Sequence, residues 1–362
     1  MYVAWRDLRF AKGRFALMGA VIVLITLLVG LLSGLTAGLG QQNISAVTRL
    51  PADRIAFAAP ADGEDLSYAS SVVREEQWQR LGSAEGVRSA EPVGIASVRA
   101  AAGDRHASVA AFGVRPDSGI GAGDVGEGEI ALTEPAAEEL GVDAVGDEVA
   151  VAGRQFTVRS IGGDDAYSHL PVVWTHLADW QHLAPGAAEA GRGTTTATVV
   201  AVDADAAALP AADRAADTRT VTTDDSLAAI GSYASENGSL QLMRGFLFAI
   251  SALVIGAFFT VWTIQRAGDI AVLKALGAPT RGLLTDALGQ ALVLLTAGTL
   301  LGTALAAGIG ALVSGSAVPF ALAPGTVLVP AAVLIALGAL GAALSVRRIT
   351  SVDPLTALGS AR

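Results

Sequence analysis

The 362-residue chain contains no cysteine. That excludes disulfides, zinc–thiolate centres and thiol catalysis, and it permits an extracytoplasmic location. Charge is also scarce. Only 16% of residues are charged, against about 25% in a soluble globular domain, so surface-forming side chains are in short supply. Histidine occurs four times, at His106, His169, His176 and His182. The last three could gather, but no Glu stands at the spacing of a helical zinc motif, so each is read as structural or surface. No serine sits in a G-x-S-x-G elbow, and no G-x-x-x-x-G-K-[ST] phosphate loop occurs. No catalytic residue is therefore assigned, and the chain is not expected to be an enzyme or to hydrolyse ATP by itself.

What the chain has instead is long apolar runs. Residues 15–39 and 245–265 carry no charge, and 287–346 is uncharged throughout, dividing at SGSAVPFALAPG into 287–313 and 327–346. Each run reaches the ~20 residues that a helix needs to cross a ~30 Å hydrocarbon core. A signal-peptide h-region spans only about 7–15 residues, so the first run is read as a retained helix. The expected fold class is a membrane protein with four transmembrane α-helices and an α+β extracytoplasmic domain inserted between the first and second.

Basic residues near the span ends give the orientation. Arg6, Arg9, Lys12 and Arg14 precede the first span. Arg266, Lys274 and Arg281 separate the second from the third, and Arg347, Arg348 and Arg362 follow the fourth. With four spans these segments share one side, read as the cytoplasm of a bacterial cell, with both termini there and the chain in the plasma membrane. Residues 40–243 then face outward, with 13 Arg, no Lys and 30 acidic residues. An exterior of formal charge −17 argues against nucleic acid as a partner. The expected organisation is an amphipathic N-terminal helix at 1–14, spans at 15–39, 236–265 (with an outer extension), 287–313 and 327–346, an outer domain at 40–235, a cytoplasmic helix at 266–286, an outer loop at 314–326 and a tail at 347–362.

Within the outer segment, VVREEQWQRLGSAEG predicts a short helix with Trp78 and Leu81 inward. Residues 86–114 alternate like two strands joined at Gly103-Asp104, a type I′ hairpin signal. GEIALTEPAAEELGV predicts a strand and then a helix capped by Thr133, with Pro135 in its first turn. DEVAVAGRQFTVRSIGG predicts a hairpin at Ala152-Gly153. PVVWTHLADWQHL adds a strand and a helix, and ATVVAVDA one more strand. The Ala/Asp-rich stretch 201–227 is expected to be a surface helix and tether.

Between the second and third spans lies a polar island, RAGDIAVLKALGAPTRGLLTDAL. Ile270, Leu273 and Leu276 form one apolar stripe, Gly277 offers a stop and Pro279 a restart, which gives a short amphipathic helix. Such a helix suits either headgroup binding or mechanical coupling to a cytoplasmic partner. The segment resembles the coupling-helix signature of the FtsX/MacB-type (type VII) ABC transporter permeases. The N-terminal AWRDLRFAKGRFALM is similar to that superfamily's amphipathic helix, and RRITSVDPLTALG resembles its closing signature, here Arg347, Arg348, Asp353, Pro354, Ala357 and Leu358. The resemblance covers the whole chain. It implies a homodimer served by two copies of a separate ABC ATPase, which supplies ATP and Mg, with Asp269, Leu273, Lys274, Leu276 and Gly277 meeting that ATPase.

Residues 34–73 and the run GSYASENGSLQLMRGFLF look most like the HrtB-type haem exporter permeases. The signals are Gly-Leu–x–x–Gly-Leu leaving the first span, Leu50-Pro51-Ala52-Asp53, Leu66 with Ser70 and Ser71, and Gly–x–Tyr–x–x–Glu–x–Gly-Ser before the second. If helical, that second run places Tyr233, Glu236, Leu240, Met243 and Leu247 within about 80° of arc. A carboxylate at a membrane edge is a functional candidate, and Tyr and Met are known haem ligands. Tyr233, Glu236, Met243 and Phe246 are therefore the expected contacts to haem as transported substrate, with Glu236 and Met243 as candidate iron ligands. Tyr233 could equally be an interfacial belt residue and Met243 core filler. Gly30, Gly34 and Gly38 form a double G-x-x-x-G strip, expected to pack two copies at a two-fold axis in the lipid, while Gly298 and Gly302 are expected to serve packing inside the bundle. The function read from all this is haem export by ATP-driven closure of the dimer. The rivals are export of another hydrophobic cargo, such as a peptide antibiotic or lipid, and transmembrane signalling to an outer hydrolase.

Overall fold

A computed structural model describes residues 12–121, 125–184, 195–265, 279–313 and 318–350, with Gly268 and Val272 singly. The chain divides into two compact units, Leu39–Gly238 and the remainder.

The inserted unit is a sheet with helices on it. Its strands are β1 (Arg54–Ala58), β2 (Val73–Arg74), β3 (Val87–Ala102), β4 (Arg105–Val114), β5 (Glu129–Leu132), β6 (Glu148–Val151), β7 (Arg154–Ile161), β8 (Ala166–Tyr167), β9 (Leu170–His176), β10 (Thr196–Ala197), β11 (Val199–Ala204) and β12 (Thr218–Thr222). The main sheet runs β12-β1-β11-β3-β4-β9-β5-β7-β6, with β8 hanging on β9, and β2 pairs β10 apart from it. The long β3 belongs to two neighbourhoods. Its first half pairs β11, and its second half pairs β4. At its far end Ala100 and Ala101 pair Val151 and Ala150, which closes β3-β4-β9-β5-β7-β6 into a ring.

Three apolar clusters hold this unit. One gathers Phe57, Tyr68, Phe112, Tyr167 and Trp174, a second Phe156, Trp180, Leu132 and Leu140, and a third Trp78, Leu81, Val200 and Val202. Trp180 is seated by two absences. A Cβ on Gly94 would lie 2.3 Å from its ring, and one on Gly113 2.3 Å from its own Cβ. The expected short helix is present at Glu75–Gly82 (α2) with Trp78 and Leu81 buried. Thr133 precedes helix α3 (Glu134–Leu140), but its hydroxyl donates to the Val172 carbonyl instead of capping. Helix α4 (Leu177–Leu183) follows β9 directly.

Several expectations are corrected here. The first membrane helix, α1 (Lys12–Thr48), does not stop at residue 39. Its last turns bury Asn43, Ala46 and Val47 in the inserted unit, so polar residues continue the helix by packing on protein instead of lipid. The Gly103-Asp104 hairpin forms, but only Gly103 takes a positive φ, so the turn is not type I′; at Ala152-Gly153 both residues do (47° and 83°). The stretch 201–227 carries the expected surface helix but is no tether. It supplies strand β11, helix α5 (Leu209–Ala216), edge strand β12 against β1, and helix α6 (Thr223–Ser226). The second long helix, α7 (Gly231–Gln265), starts before residue 236. The third, α8 (Thr280–Val313), takes in 280–286, which continue its periodicity after Pro279.

Among the described residues, four helices are long and apolar enough to cross a membrane: Ala16–Thr48, Gly231–Gln265, Thr285–Val313 and Pro324–Ser345, the last lying within α9 (Pro324–Thr350). Their common core is built from Met18, Ile22, Ile255, Phe259, Trp262, Leu295 and Ala342. Hydroxyls here bond back to their own helices, Ser251 to the Leu247 carbonyl and Thr260 to that of Gly256, which satisfies them without water.

Candidate functional site

Within the inserted unit, the last turns of α1, the β8–β9 turn and the first turns of α7 converge on Glu236. Its carboxylate lies 3.0 Å from His169 Nε2 through either oxygen, and Asn43 Nδ2 donates to Oε2 at 3.0 Å. Asn43, 1% exposed, spends its amide oxygen on the Ser232 hydroxyl at 2.7 Å, and Ser232 in turn contacts the Ser168 hydroxyl at 2.8 Å. Asn43 Nδ2 also stands 2.9 Å from His169 Nε2. A nitrogen that donates to Glu236 cannot also accept from Asn43, so the imidazole N–H points at the carboxylate when the Asn43 amide does so too.

The backbone explains why these groups meet. Ser168 and His169 both adopt the left-handed region, with φ of 52° and 64°. That strained turn aims their N–H groups at the carbonyls of Asn43 and Gln42, each at 3.0 Å. Ser45 adds a two-way contact with Ala166, its Oγ accepting from the Ala166 N–H at 2.8 Å. Nearby, Arg49 bridges Asp164 at 2.5 Å and Asp165 at 2.8 Å. The hydrogen bond to Arg49 holds the Asp164 carboxyl below the usual carboxylate range.

The expected haem contacts separate into three kinds. Glu236 is in this cluster. Tyr233 is half-buried and packs against the inserted unit's apolar core. Met243 and Phe246 lie about two and three turns further along α7 and are 50% and 61% exposed. The other histidines do not gather with His169. His176, at the far end of β9, accepts from the Ala178 N–H to cap α4. The coupling residues Asp269, Leu273, Lys274, Leu276 and Gly277 lie outside the described residues.

The glycine strip is corrected as well. A Cβ on Gly30 would sit 2.8 Å from Ala306 Cβ, one on Gly34 2.2 Å from the Phe320 ring, and one on Gly38 2.2 Å from the Pro319 carbonyl oxygen. The chain fills its own strip, so these glycines admit α8 and the 318–323 segment, not a second copy. Gly298 and Gly302 admit Ile22 and Thr26 of α1, internal packing as expected.

Residues 242–354 match the family described as FtsX-like permease C-terminal. Over 99% of both chains, the sequence is 27% identical to a protein of Staphylococcus epidermidis named as the hemin transport system permease protein HrtB. Over 99% of both it is 25% identical to an ABC transporter permease of Mycobacterium bovis. The extracellular domain of the ABC-type transporter YknZ from Gram-positive bacteria aligns with 45% of this chain and 89% of its own length, at 16% identity and a TM-score of 0.34. Residues 242–354 thus match an FtsX-like permease domain, and the chain as a whole is similar to bacterial ABC transporter permeases.

Proposed function

We propose that this permease is the membrane subunit of an efflux pump that removes haem from the bacterial membrane. In this reading the inserted unit lies outside the cell and both termini lie inside. Two copies of the chain work with two copies of a separate ATPase, which binds ATP and Mg. The observation that carries the cargo assignment is the Asn43–His169–Glu236 cluster at the start of the second membrane helix. The full-length similarity to a hemin transport permease supports it.

The chemistry is an exchange of partners. An imidazole and a carboxylate are both competent donors to haem iron, and here each satisfies the other. Haem as substrate offers iron in place of that hydrogen bond. Asn43 and Ser232 keep the displaced carboxylate and turn in place while the exchange occurs. His169 thus joins Glu236 as a candidate iron ligand. Met243 and Phe246, exposed further along α7, stay as candidate haem contacts in their own right. Closure of the dimer by ATP binding then restores the His169–Glu236 contact and expels the cargo.

The test uses the purified permease–ATPase complex in lipid nanodiscs, titrated with hemin and read by its Soret band. Glu236→Ala and His169→Ala should each weaken haem binding by about tenfold or more, with Met243→Ala weaker in effect. Cells expressing either variant should accumulate haem. A wild-type complex without a Soret shift, in cells whose haem load ignores the permease, overturns the assignment.

A further inference from the structure

A cavity of about 530 Å³ opens inside the inserted unit, within the size range of small-molecule sites. Its base is made of the buried aromatic side chains Tyr68, Tyr167 and Trp180, and Ala69, Val72 and Ser97 stand exposed at its mouth. Among the described residues no acidic or basic side chain lines it.

The two tyrosines differ in one respect. The Tyr68 hydroxyl is paired with Ser226 Oγ at 2.9 Å. Tyr167 is only 8% exposed, its ring held edge-on by Tyr68 and Phe112 at centroid distances of 5.9 and 5.6 Å. Its hydroxyl makes no hydrogen bond to another described residue and keeps access to the cavity. Trp180 Nε1, in the same wall, is by contrast fully buried and without a partner among the described residues. Burial pushes the Tyr167 phenol up, which keeps it a neutral donor.

We propose that this cavity is a second ligand site, which takes an uncharged aromatic molecule offering a hydrogen-bond acceptor to the Tyr167 hydroxyl. The aromatic base favours a flat ring, by stacking or edge contact. The lack of a described charged partner rejects anions, because a buried charge without a counter-charge is strongly disfavoured. A porphyrin carries two propionates and is therefore not its ligand, although Ser168 and Ser232 of the Glu236 cluster also line the cavity.

Because the chain has no cysteine, Ser97→Cys in the full-length protein creates one thiol at the mouth. Coumarin, neutral and carbonyl-bearing, should slow its alkylation by N-ethylmaleimide in nanodiscs, while coumarin-3-carboxylate should not. Adding Tyr167→Phe, which keeps the ring, should weaken the protection by about three- to tenfold, the usual worth of one hydrogen bond. Saturation-transfer NMR of coumarin on the unmodified chain should report the same binding, unchanged by hemin. Absence of protection and of transfer at millimolar coumarin overturns the proposal. So does equal protection by the carboxylate, an unaltered Tyr167→Phe, or displacement by hemin.

Discussion

The two units of this protein are held together by different physics. In the inserted unit the largest side chains are sealed away, with Phe57, Phe112 and Phe156 at most 2% exposed. In the helical unit large apolar residues lie outward, Leu253 at 73% and Leu300 at 62%, and the interior is made close by glycine and alanine. Water drives the first arrangement. Lipid offers no such drive, so the second rests on close packing and on hydroxyls returned to their own helices.

The largest expected difference lies between two truncations. Phe112→Ala should cost about 3–5 kcal/mol in the melting of the inserted unit, whereas Leu253→Ala should cost under about 0.5 kcal/mol in a thermal unfolding assay in nanodiscs. A Leu253→Ala cost as large as that of Phe112→Ala would mean that protein, not lipid, covers that face. Next comes Gly38→Ala. Its new methyl group meets the Pro319 backbone, which cannot swing aside, so about 1–3 kcal/mol should be lost whether or not the chain is dimeric. A dimer that falls apart into folded single chains would instead restore the two-fold role of the strip.

The smallest effect concerns charge. Arg49 lowers the Asp164 pKa in the folded state, so the pair contributes stability above the unfolded carboxyl value of about 4 and loses it as pH falls through the folded one. Both side chains are substantially exposed, at 49% and 71%, so Arg49→Met should cost at most about 1 kcal/mol at neutral pH. The gap to wild type should shrink toward zero in melts below the folded value. A gap independent of pH would assign the cost of Arg49→Met to lost packing.

The four apolar helices were legible because a bilayer dictates their length and forbids charge. The hairpins were legible because turns demand particular residues, as at Ala152-Gly153. Helix ends were less so. The run 40–48 is polar enough to read as loop, yet it stays helical because Asn43, Ala46 and Val47 find protein to pack on. Strand β12 escaped notice because it is an edge strand with half-buried side chains, and backbone pairing to β1 holds it there. Glu236 stood out as a carboxylate beside an apolar run. Its partners could not, since Asn43 and His169 are 193 and 67 residues away and share no spacing with it.

Trp180 rests on Gly94 and Gly113, neighbours across strands β3 and β4 that have no room for even a methyl group beneath the indole. These three positions can vary in evolution only as a set. Lineages that trade the tryptophan for a smaller residue are free to acquire side chains at both glycines. Drift at either glycine alone is closed while the indole remains, and a triplet changing in concert would be this domain's fossil record of how its ring of strands was filled.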